Sequence, residues 1–205
     1  MNPPLKFHLR GVDTTHPYLS QRGIEDETAN WFGVGFYNGP GLMEGRLVIP
    51  IHDASGRLVA YCGRSLDGAS PRYKLPSGFQ KSLVLFNLHR AASCGQTAVV
   101  IVEGFFDCMK VHQAGWRNVV ALMGASMSIE QERLLTERFT RTALLLDGDS
   151  AGRTGSAAIA GRLAGKCSIQ DIQLSNARQP DQLEAGEIQQ LLSSSGASGK
   201  NENNE

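Results

Sequence analysis

Two short acidic clusters are the part of this sequence best equipped for chemistry. Glu103 and Asp107 stand four residues apart, and Asp147 and Asp149 flank Gly148. Each pair directly follows an apolar run, Ala98-Val99-Val100-Ile101-Val102 before Glu103 and Leu144-Leu145-Leu146 before Asp147. Such runs are the pattern of strands buried on both faces of a parallel sheet, and ligands of these sheets bind beyond the carboxyl ends of the strands. The four-residue spacing sets Glu103 and Asp107 on one face of a helix start. If the two strands are neighbours, four carboxylates converge on one crevice, at a cost in repulsion and desolvation that a cation would relieve. Hard oxygen donors suit Mg²⁺ or Mn²⁺ better than zinc, and Mg²⁺ usually shares one or two carboxylates with water and substrate phosphates. The chemistry implied is phosphoryl or nucleotidyl transfer, or phosphodiester cleavage. The segment from Asp147 begins like a calcium loop, but the closing bidentate glutamate would fall on Ala158, which excludes that reading.

The elements that must position these groups follow from pattern. A strand at 98–102, a helix from Phe105 to Ala114 stopped by Gly115, and a strand from Val119 to Met123 come first. Ser128 and Gln131 form a capping box, and a strand follows at 143–146. A helix from Gly152 to Leu163 and a strand from Ser168 to Leu174 complete the alternation. Strands separated by helical stretches indicate βαβ units and an α/β sheet. The preceding region differs, with seven of the eight prolines at or before Pro76 and a hairpin predicted from 46–51, a turn at Asp53–Gly56, and 57–62. Between 57 and 90, six basic residues oppose Asp67 alone, so an anion-binding face is expected there although the whole chain is formally neutral. The expected division is 1–93 as a smaller α+β basic subdomain, 94–192 as a parallel-sheet domain, and 193–205 as a polar, disordered tail. Four cysteines at least fourteen positions apart, with no finger spacing to a histidine, argue against a local zinc module. The absence of a signal pattern or long apolar run suggests a soluble, cytoplasmic protein with no membrane partner.

Glu103-Gly104-Phe105-Phe106-Asp107, then Asp147-Gly148-Asp149 with Ala151-Gly152-Arg153, resembles the Toprim domain of bacterial primases, topoisomerases and some nucleases. Upstream, Tyr18-Leu19-Ser20-Gln21-Arg22-Gly23-Ile24 is similar to the stretch that opens the catalytic core of bacterial replicative primases. Further similarities follow in order at Phe32–Phe36, Gly45–Ile51, Gly63-Arg64, Pro71-Arg72-Tyr73 and Phe79–Ser82. The resemblance implies a Toprim domain behind a basic subdomain, and a core that synthesises primers on single-stranded DNA from nucleoside triphosphates. It implies Glu103 as general acid/base and Asp147, Asp149, Asp107 and Asp181 as the metal-binding set. It also implies Arg22, Arg64, Arg72 and Lys81, with Lys74 nearby, as nucleotide- and DNA-binding residues. In the family an Asp-Pro-Asp motif follows the last strand, and here it reads Gln179-Pro180-Asp181. The family's zinc-binding and helicase-docking domains have no counterpart in this sequence, so a separate DNA-recognition or helicase protein is the expected partner. A Toprim nuclease and a catalytically inactive nucleic-acid-binding module are the alternatives.

Overall fold

The computed structural model describes residues 2–175 and 177–194. They form two compact units, Met1–Lys81 and a second that begins at Ser82.

The first unit contains helices α1 (Pro17–Gln21) and α2 (Asp26–Phe32) and four strands, β1 (Gly35–Tyr37), β2 (Arg46–His52), β3 (Leu58–Arg64) and β4 (Tyr73–Lys74). The strands form one antiparallel sheet in chain order. β2 and β3 are the predicted hairpin, closed by Asp53, whose Oδ1 accepts the N–H groups of Ser55 and Arg57. Leu47, Val48, Ile49, Ile51, Ala60 and Cys62 are fully buried, so the hairpin is the core of this unit rather than a half-wet ribbon. β4 pairs with the end of β3 and sets Arg64 opposite Tyr73.

The second unit contains α3 (Leu88–Ser93), β5 (Ala98–Val102), α4 (Phe105–Gln113), β6 (Val119–Ala121), α5 (Ile129–Thr136), β7 (Arg141–Leu144), α6 (Ser150–Leu163), β8 (Ser168–Asp171) and α7 (Ala185–Ser193). The order β6-β5-β7-β8 is parallel throughout, giving the expected α/β architecture. Sequence patterning assigns 82–93 to the first region, but this segment packs with the second unit. The Phe86 N–H donates to the Ala121 carbonyl at 3.0 Å, and the Asn87 amide donates to the Val119 carbonyl at 2.9 Å.

The capping box at Ser128 forms in both directions, with Gln131 N–H donating to Ser128 Oγ at 3.0 Å and Ser128 N–H to Gln131 Oε1 at 2.9 Å. Element ends shift where local chemistry intervenes. β6 stops at Ala121, two residues before the predicted end, because Met123 (φ 61°) and Gly124 (φ 159°) turn the chain. β7 runs over 141–144 rather than 143–146, although the Leu145 N–H still donates to the Ile101 carbonyl at 2.9 Å. β8 ends at Asp171 instead of Leu174. α6 begins two residues early because the Asp149 carboxylate caps it, accepting the Gly152 N–H at 2.8 Å. α7, which buries Ile188 and Leu192, extends through Ser193. The predicted tail from residue 195 onward lies outside the described residues.

β5 lies between β6 and β7, and Ile101 pairs with Leu144. The two acidic segments therefore leave the sheet at the same edge. Close approach there depends on Gly152, where an added Cβ would stand 2.0 Å from the Asp147 carbonyl oxygen. Gly161, exposed on the same helix, has no atom within 4 Å of such a Cβ. Gly152→Ala should therefore destabilise the chain by at least about 2 kcal/mol, whereas Gly161→Ala should stabilise it by about 0.5–1 kcal/mol. Chemical denaturation of the two variants beside wild type measures the contrast.

Candidate active site

The acidic residues are held by backbone donors. Glu103 is half-buried at the end of β5, and its Oε1 accepts the Asp147 N–H at 3.3 Å. Asp147 is also half-buried. Its Oδ2 accepts the Gln179 amide at 2.6 Å, while its Oδ1 is buried without a hydrogen-bond partner. Asp149 is exposed, with Oδ1 engaged at the α6 N-terminus. The intervening Gly148 donates its N–H to the Arg178 carbonyl at 2.8 Å, and the Arg153 guanidinium donates to the Gly148 carbonyl.

Asp107 is almost fully buried, and both its oxygens are in use. Oδ2 accepts the Gly104 N–H at 2.9 Å, and Oδ1 accepts the Asp181 N–H at 3.1 Å. It pins the 3₁₀ turn Pro180–Gln182 onto α4. Each Asp107 oxygen thus holds a backbone N–H, so the residue fastens the turn that carries Asp181.

Burial and like charge raise the proton affinity of this cluster. The Glu103 carboxyl is shifted up by burial and by the charges of Asp147 and Asp149, against the Asp147 N–H. Asp147 is shifted up by burial, with the Gln179 hydrogen bond working against the shift and Asp149 and Asp181 adding to it. Asp107 is pushed up to about 7 by burial first, then by Asp181 and Asp147. Among the described residues, no three His, Cys, Asp or Glu side chains stand together as a ready-made metal cage. The donor set nevertheless fits a hard divalent cation. A buried carboxylate oxygen lacks a partner in a group of carboxylates that repel one another, and Mg²⁺ characteristically completes its shell with water and phosphate.

In the first unit, Arg72 and Lys81 are exposed, and Arg22 and Lys74 are partly exposed. Arg64 is different, at 4% exposure. Its Nε donates to the Tyr18 hydroxyl at 2.7 Å and Nη1 donates to the Tyr73 hydroxyl, with the guanidinium 5.5 and 5.2 Å from the two ring centres. It joins α1, which leads into Arg22, to β4, which carries Lys74. The basic run in the sequence is thus not one surface: Arg57 pairs with Asp53 at the hairpin turn, and Arg64 is an internal brace.

Residues 97–175 match the Toprim domain family, and residues 41–92 match the N-terminal domain of the DNA primase catalytic core. The chain belongs to the DNA primase catalytic-core family. A DNA primase of Synechococcus elongatus is 39% identical over 127 residues, covering 58% of this chain and 18% of the relative. One from Staphylococcus aureus is 34% identical over 148 residues, covering 67% of this chain and 24% of the relative. The crystal structure of the zinc-binding and RNA polymerase domains of Aquifex aeolicus primase superposes with a TM-score of 0.76 at 27% identity, covering 88% of this chain and 55% of that one. The chain thus spans about a fifth to a quarter of these curated relatives and about half of that structure.

Sequence reasoning records Gln179 only as a departure from the family motif and gives no role to Arg178. Their contacts cross from the segment after β8 to the turn after β7, which no local spacing reveals.

Two outcomes follow for variants. The native metal-free protein binds a proton at Asp107 between its ordinary value of 3.8 and about 7, where the unfolded chain does not. Wild type should therefore lose about 2–3 kcal/mol relative to Asp107→Asn as pH rises from 5 to 8. His112, which burial and the charges of Arg117 and Arg90 lower to about 4, works in the opposite direction but is common to both proteins and cancels in the difference. Denaturation across that range reads the slope, and a flat difference would contradict the assignment. Arg64→Met should cost about 2 kcal/mol by removing the buried donor that ties Tyr18 to Tyr73, measured as a lower Tm.

Proposed function

We propose that the chain is the catalytic core of a DNA primase, joining ribonucleotides on a single-stranded DNA template with Mg²⁺ or Mn²⁺. The observation that carries this reading is the buried, unpartnered Oδ1 of Asp147, a residue whose N–H meets Glu103, in a chain whose relatives are DNA primases. Asp147 and Asp149 would hold the cation, which when bound neutralises triphosphate charge and favours displacement at phosphorus. Asp107 and Asp181 hold the surrounding turn.

Glu103 is suited to take the proton from an attacking 3′-hydroxyl, because burial and neighbouring charge raise its proton affinity while its backbone partner fixes its direction. Arg22, Arg72, Lys74 and Lys81 supply donors for triphosphate and template phosphates, Arg in bidentate fashion and Lys as a point charge. Arg64 supports that set by fixing Tyr18 and Tyr73. The substrates are nucleoside triphosphates and single-stranded DNA, and a separate DNA-recognition or helicase protein would select the template. Among the described residues, no helix is long and apolar enough to cross a membrane.

The test is incubation with single-stranded DNA, Mg²⁺ or Mn²⁺ and labelled nucleotides. New oligonucleotides should form, and Asp147→Ala or Asp149→Ala should reduce them at least about 100-fold in variants that remain folded. Undiminished synthesis by both variants would sink the reading. Template cleavage without nucleotides would indicate a nuclease, and DNA binding without turnover, even with candidate partners added, a binding module.

A further inference from the structure

Gln179 touches the Asp147 carboxylate. Its Nε2 lies 2.6 Å from Asp147 Oδ2, and only the NH₂ end of the amide can face a carboxylate without opposing two acceptors. The other oxygen of the same carboxylate is buried and has no hydrogen-bond partner. We propose that Gln179 is the positioning residue of Asp147, holding one oxygen so that the other, unpartnered oxygen is left for the cation. The inference rests on the metal reading given above and concerns how this chain presents the carboxylate.

The amide is itself held from several directions. The Gln179 N–H donates to Gln182 Oε1 at 2.8 Å, and Pro180 restricts the backbone on its far side. One residue earlier, the Arg178 carbonyl accepts the Gly148 N–H at 2.8 Å, fastening this segment to the turn that carries Asp147. The Arg178 guanidinium grips Glu187 of α7 through both carboxylate oxygens, at 2.8 and 2.9 Å. Two residues after Gln179, the Asp181 N–H is seated on Asp107. Gln179 is therefore fixed relative to both the β7–α6 turn and α4 before any cation arrives.

An amide is the chemical group this position can use. It donates to a carboxylate yet adds no charge to a cluster in which burial first, and neighbouring carboxylates second, already disfavour the ionised forms of Glu103, Asp107 and Asp147. With the donor removed, the Asp147 carboxylate loses the side-chain hydrogen bond that fixes its orientation, and with it the direction of Oδ1. Fixing a ligand through a hydrogen bond to its second atom is a general means by which outer groups strengthen metal sites, and removing such partners typically costs about 10–100-fold in affinity.

The experiment is titration of the full chain with Mn²⁺ alone, followed by electron paramagnetic resonance, with the Tm of the metal-free protein measured in parallel. Wild type should bind Mn²⁺ and Asp147→Ala should not. Gln179→Leu, nearly isosteric but without a donor, should bind at least about tenfold more weakly while its metal-free Tm stays close to that of wild type. Gln179→Asn keeps the amide but shortens its reach, and should show the same loss, which provides the result if the leucine variant does not fold. Equal or tighter Mn²⁺ binding by a folded Gln179 variant would overturn the proposal and leave the metal site standing, with any fall in Tm marking a structural role only. Equal binding by Asp147→Ala, or no binding by wild type, would instead remove the metal reading and the proposal with it.

Discussion

Parallel pairing of β5 with β7 brings Ile101 opposite Leu144, so the chain leaves both strands at one edge of the sheet with an acidic segment on each. That constraint obliges Glu103 and Asp147 to coexist, half-buried, at a site where neither can be fully hydrated. The surrounding structure answers this electrostatic problem. Gly104 and Asp181 give backbone N–H groups to Asp107, Asp147 gives its own N–H to Glu103, and Gln179 gives a neutral donor to Asp147. These bonds offset much of the cost of burying the carboxylates but leave Asp147 Oδ1 without a partner. A divalent cation would complete the arrangement and make the site competent for phosphate chemistry.

Two buried polar side chains hold the segments that carry the candidate site residues. Asp107 accepts a backbone N–H on each oxygen and thereby locates the turn around Asp181. Arg64 has spent its guanidinium on Tyr18 and Tyr73 inside the first unit, where it links the segments that carry Arg22 and Lys74. Both side chains are buried and hold neighbouring segments in place.

Much of this was legible in the sequence because the decisive signals were local. The apolar run at 98–102, the Ser128–Gln131 capping box and the 46–62 hairpin each contain their own physics, and each forms in the expected place. The end of β6 and the start of α6 shifted because a positive φ at Met123 and the capping by Asp149 depend on how the chain turns, which hydrophobic period does not encode. The short helices α1 and α2 carry too few residues for a periodic signal. Hardest to read were Gln179, Arg178 and Arg64, since their partners lie at sequence separations of 32, up to 30 and up to 46 residues. Family resemblance named the neighbourhood of these residues, but only tertiary packing showed what each one holds.

The central claim is that the carboxylate edge of the β5–β7 pair is incomplete without a divalent cation, and diffraction can test it directly. Crystals of the chain grown with Mn²⁺ and measured at an energy above the manganese absorption edge should give an anomalous peak in direct contact with Asp147 Oδ1. A structure at saturating Mn²⁺ with no peak there, and with that oxygen hydrogen-bonded to water or to another side chain, would contradict the account.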